Sequence, residues 1–109
     1  MPGKIRLETT EHEGYRLLSV AGEVDMQSSP RLRDELKLQL KGTGILKLDL
    51  RNVSYLDSSG IAVLIQGMKW AQRERIDYRL VDPSEQVRSV IELAQLQDFF
   101  SIESSGESG

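Results

Sequence analysis

Leu56-Asp57-Ser58-Ser59-Gly60-Ile61 joins two apolar runs through an acid, two hydroxyls and a glycine. Asp and Ser cap helices, because their side chains accept hydrogen bonds from the free amides of a first turn. The stretch therefore predicts a helix opening after an extended segment. A helix start also offers unbonded amides and roughly half a positive charge, so it receives a phosphate well. Cap and anion site are both open readings of these six residues.

Upstream, Ile45-Leu46-Lys47-Leu48-Asp49-Leu50 alternates after its first step and reads as a strand, with residues 53–56 as its connection to the helix. Downstream, residues 61–73 carry a helical pattern and Tyr78-Arg79-Leu80-Val81 a strand. Asp82-Pro83-Ser84-Glu85 reads as a helix-start box, with Asp82 as the cap and glutamate three positions on. Val87, Val90, Ile91 and Ala94 follow at helical spacing, and Phe99-Phe100-Ser101-Ile102 reads as a last short strand.

Toward the N-terminus, residues 5–7 suit an edge strand, His12-Glu13-Gly14 a turn and residues 15–21 a second strand. Ser28-Ser29-Pro30 opens a helix with a hydroxyl cap and an early proline. Leu32, Leu36 and Leu40 form its apolar stripe, and Gly42-Thr43-Gly44 ends it. Strands and helices alternate, which predicts an α/β domain: a largely parallel or mixed sheet with helices packed on it. One domain over residues 1–103 is expected, with residues 104–109, rich in Ser, Gly and Glu, as a disordered tail.

A chain of 109 residues buries a real core without staples, and it contains no cysteine for disulfide or thiolate chemistry. With 14 basic and 17 acidic residues and a net charge of −3, nothing favours nucleic acid: Arg31, Arg33 and Lys37 group together, as do Arg73 and Arg75, but Asp34, Glu35 or Glu74 dilutes each group. No apolar window is long enough to cross a membrane, and Met1-Pro2-Gly3-Lys4 does not read as a leader. The cytoplasm is the expected compartment.

Projected at about 100° per residue, Ile61, Leu64, Ile65, Met68 and Ala71 fall on one side of the helix and are expected against the sheet. Val63, Gln66 and Trp70 fall on the other. An exposed valine and tryptophan beyond the two serines suggest a partner surface; a loop of the same domain covering Trp70 is the alternative. Catalysis by Ser58 needs a nearby base, and the single histidine, His12, sits in a distant turn. The lipase-type glycine spacing, a phosphate loop and metal-ligand spacing are all missing. The serines read as acted upon rather than acting, with no catalytic residue, metal or cofactor.

Gly22-Glu23-Val24-Asp25, Asp57-Ser58-Ser59-Gly60, Val81-Asp82-Pro83-Ser84-Glu85-Gln86-Val87 and residues 93–96 together resemble the STAS domain, in order and spacing, from about residue 5 to 102. Within it, the chain is similar to the anti-sigma factor antagonists of bacteria. The resemblance implies a sheet with helices mainly on one side. It implies that Ser58 is phosphorylated by a partner that is both serine kinase and anti-sigma factor, within surroundings formed by Asp57, Ser59 and Gly60. The unphosphorylated form would bind that partner, and a phosphatase would reset the phosphorylated form; Asp25, with the outward Val63, Gln66 and Trp70 of the projection, is expected on the binding surface. The resemblance departs at Arg73-Glu74-Arg75-Ile76-Asp77, where family members often place glycine, and at Trp70. Two other functions fit less of the pattern: a cytoplasmic STAS subunit of an ABC-type lipid transporter, and a phosphate- or nucleotide-binding module.

Overall fold

The computed structural model describes residues 4–104. Eight elements follow in order: β1 (Ile5–His12), β2 (Tyr15–Val24), α1 (Ser29–Gln39), β3 (Ile45–Leu56), α2 (Ser58–Glu74), β4 (Asp77–Val81), α3 (Glu85–Leu93) and β5 (Ser101–Glu103). The strands form one sheet in the order β1-β2-β3-β4-β5. β1 runs antiparallel to β2, and every later pair is parallel. Each parallel step needs a crossover, which a helix supplies. All three steps move across the sheet in one direction, so right-handed crossovers put α1, α2 and α3 on the same face.

The core forms between that face and the helices. Leu18, Leu46, Leu48 and Leu80 of the strands cluster with Leu32 and Leu36 of α1, Leu64 and Ala71 of α2, and Val87 and Ile91 of α3. The bare face carries charge instead. Lys47 Nζ lies 3.0 Å from Glu103 and 4.3 Å from the centre of the Tyr15 ring, and Arg79 reaches both Asp77 and Glu103. Gly22 lets β1 close on β2. Its φ is +100°, and a Cβ there would lie 2.0 Å from the carbonyl oxygen of Lys4.

Four expectations change. Residues 53–56 are no connection: β3 continues to Leu56, and its register against β2 slips twice, between Ser19/Ala21 and Gly22/Glu23. The extra residues disturb the inward–outward alternation, so Val53 and Leu56 are buried while Arg51, Asn52, Ser54 and Tyr55 are exposed. β1 runs eight residues rather than three. Asp82 does not cap α3; it adopts a left-handed φ of 49°, and Ser84 is the cap, accepting from the amide of Val87. Ser28 precedes α1 but makes no side-chain cap to it. In the loop that departs from the family pattern, Arg75 takes the left-handed position, φ 61°, at the end of α2. Glycine fits that conformation without strain. Of the segment expected as a tail, Ser104 follows β5 without regular structure and residues 105–109 lie outside the described residues, as do residues 1–3.

Candidate functional site

The carboxyl ends of parallel strands are where an open α/β sheet leaves room for function. β2 and β3 end side by side, with Val24 opposite Leu56, and the amide of Asp57 donates to the Val24 carbonyl at 3.2 Å. Asp57 is the cap of α2. Its Oδ1 accepts from the amides of Ser59 at 2.9 Å and Gly60 at 3.2 Å, and from the hydroxyl of Ser59. Gly60 seats the helix on the sheet: a Cβ there would meet Leu56 at 2.4 Å and Val24 at 2.9 Å.

The two serines therefore differ. Ser59 is half-buried and its hydroxyl is committed to Asp57. Ser58 is exposed at the first helical position, and its hydroxyl has no hydrogen-bond partner among the described residues. The capping reading of the opening stretch falls on Asp57, and Ser58 stands exposed beside it.

The loop leaving β2 is tied from within. Asp25 Oδ1 accepts from the amides of Gln27 and Ser28, each at 3.0 Å, and Lys4 Nζ lies 3.2 Å from Oδ2. The Ser28 amide and the Lys4 ammonium hold the Asp25 carboxyl down at about 2. Ser28 Oγ donates to the Glu23 carbonyl at 2.7 Å and accepts from the Asp25 amide. The carboxylate of Asp25 thus shapes the loop beside the helix start, and it leaves Met26 projecting, 77% exposed.

The expected outward stripe on α2 is not presented. Val63 is only 7% exposed and belongs to the core rather than to an outward face; Gln66 is half-buried. Trp70 is half-buried against the core, with Lys37 of α1 over its ring. The projection assumed a single buried side, but α2 packs on both the sheet and α1. Its buried residues Val63, Gly67, Ala71, Leu64, Met68 and Ile61 sweep an arc of about 160°. The ridge that continues from Ser58 is Ala62, Ile65, Gln66 and Lys69, with Ala62 and Lys69 exposed and Ile65 half-buried rather than sealed on the sheet. Sequence reasoning named Gln66 of this ridge but missed Met26, Ala62, Ile65 and Lys69. Met26 had no periodicity to mark it, and the ridge needed the position of α1.

His12 pairs with Tyr15 at the amino end of β2, the far end of the sheet from Ser58. Among the described residues no group of three His, Cys, Asp or Glu could hold a metal, and no helix is long and apolar enough to cross a membrane.

Alongside this sheet order and helix placement, the STAS domain profile matches residues 6–108. The chain belongs to the STAS domain family. Among STAS proteins it is 28% identical over 105 residues to the anti-sigma-B factor antagonist of Bacillus subtilis, covering 96% of each chain. It superposes with a TM-score of 0.80 and 25% identity on the crystal structure of an anti-sigma factor antagonist from Mycobacterium paratuberculosis, covering 94% of this chain and 88% of that one. The Bacillus antagonist SpoIIAA shares the fold in both its forms. The unphosphorylated form gives a TM-score of 0.76 at 19% identity over 94% and 89% of the two chains. The phosphorylated form gives 0.71 at 18% identity over 94% and 92%.

Proposed function

We propose that this STAS domain is an anti-sigma factor antagonist acting in the cytoplasm as a binding protein rather than an enzyme. Its grip on an anti-sigma factor is released when that partner, acting as a serine kinase, phosphorylates Ser58; a phosphatase restores it. The observation that carries this reading is the contrast between the serines, with Ser58 exposed and unbonded where Ser59 is tied to Asp57. The similarity to anti-sigma-B factor antagonists supplies the class of partner.

Charge explains the switch. A phosphate brings between about one and a half and two negative charges, placed beside the carboxylate of Asp57. In the free domain the group points into water, and the start of α2 tolerates it. Against a partner it would be desolvated among Met26, Ala62 and Ile65. A penalty of about 3 kcal/mol weakens binding roughly a hundredfold, and no rearrangement of the domain is required. SpoIIAA keeps this fold with and without its phosphate. A transporter subunit would need a permanent docking stripe such as Val63, Gln66 and Trp70 would make, and with Val63 in the core and Trp70 packed on it no such stripe is presented.

Incubation with the cognate anti-sigma kinase and ATP tests the assignment. Label is expected on Ser58, lost in Ser58→Ala and retained in Ser59→Ala. Label that survives Ser58→Ala would overturn it.

A further inference from the structure

The far end of α2 carries a second feature that the proposed switch does not use. The last turns of α1 and α2, with the Gly42-Thr43-Gly44 loop between them, line an open groove of about 810 Å³. That size lies in the range of small-molecule sites. Trp70 lines it, with the ammonium of Lys37 5.9 Å from the ring centre. Lys41 and Arg73 also line the groove, giving three cations against the one carboxylate of Glu74, in a chain whose net charge is −3.

Basic residues near helix ends commonly do no more than offset the helix dipole. Here other groups take the terminal carbonyls. Arg16 donates to the carbonyls of Gln39 at 2.8 Å and Lys41 at 2.7 Å, at the end of α1. At the end of α2 the amides of Arg75 and Ile76 bond Gln72 and Ala71. Among the described residues Lys37, Lys41 and Arg73 have no ion pair and no side-chain hydrogen bond. Lys41 and Arg73 keep their charge for whatever enters, and Lys37 adds its own from above the Trp70 ring.

We infer that this groove binds a small organic anion with a flat apolar body. The charged group meets Lys37, Lys41 and Arg73, and the body lies along the indole of Trp70, whose ring already accepts a cation. Phosphate and carboxylate serve equally as the charged group.

Trp70 is the only tryptophan, so its indole N–H reports the site in nitrogen-15 NMR. Four probes separate the contributions: phenyl phosphate, benzoate, inorganic phosphate and benzyl alcohol. The indole resonance is expected to move saturably with phenyl phosphate or benzoate, the stronger of the two naming the charged group. Inorganic phosphate and benzyl alcohol should bind about tenfold more weakly or worse. Lys41→Ala combined with Arg73→Ala should weaken the ring-bearing anion about tenfold. Gly44→Leu should block it with the fold intact, because a Cβ there meets nothing within 4 Å. No saturable shift with either ring-bearing anion would overturn the inference. So would equal binding of benzyl alcohol, or affinities untouched by both variants.

Discussion

Asp57 accepts the hydroxyl of Ser59 and leaves that of Ser58 without a partner among the described residues, although the two serines are adjacent at the start of one helix. A single carboxylate thus divides the pair into one structural and one accessible hydroxyl. Asp57→Ala should cost about 1 kcal/mol of stability through the lost cap. Ser58→Ala and Ser58→Asp should each stay within about 0.5 kcal/mol of the parent, as exposed positions do. Chemical denaturation of the three variants checks this. A Ser58→Ala loss equal to that of Asp57→Ala would make Ser58 a cap.

The helix start was legible because capping chemistry is local: Asp57, Ser59 and Gly60 act within one turn. The stripe of Leu32, Leu36 and Leu40 was legible for the same reason, since all three are buried as their spacing requires. The second half of β3 was not, because two slips against β2 space Leu50, Val53 and Leu56 like helical positions. The outward face of α2 was not legible either. Val63 is covered by the packing of a second helix, and no periodicity within one segment reports a neighbour.

The partner surface is expected at Met26, Ala62 and Ile65. Met26→Asp and Ile65→Glu should weaken anti-sigma binding about tenfold, with melting temperature nearly unchanged for the exposed Met26. Val63→Ala should instead cost about 2 kcal/mol of folding stability, and Trp70→Ala should also act on folding. Binding assays paired with thermal melts separate the two groups. A Met26→Asp protein that binds as the parent does would remove that loop from the interface.

Asp25 predicts an acid dependence. Folding lowers its pKa from 3.8 to about 2, the Ser28 amide being the largest cause and Lys4 the next. A group held down in the fold stabilises fully above its unfolded value, and that stabilisation is lost as pH falls through the folded one. Stability should therefore fall between about pH 4 and pH 2. Asp77 and Glu103 are also lowered, so the difference between parent and Asp25→Asn isolates Asp25. That difference should be constant above about pH 5 and shrink toward pH 2; a pH-independent difference would show that the carboxylate is not stabilised by the fold.

Gly67 and Tyr78 should be coupled. A Cβ at Gly67 would lie 2.5 Å from the Tyr78 hydroxyl, which donates to the Leu64 carbonyl at 3.1 Å. Gly67→Ala should destabilise by about 1–3 kcal/mol through overpacking. Adding Tyr78→Phe should then cost less than it does alone, because the clashing oxygen is gone. A double-mutant cycle measures this, and strict additivity would contradict the contact.

Titration calorimetry of the cognate anti-sigma factor against two forms of the protein, unmodified and phosphorylated on Ser58, tests the central claim most directly. The account predicts tight binding of the unmodified form, a loss of roughly a hundredfold on phosphorylation, and closely similar melting temperatures. Equal affinity of the two forms would contradict it.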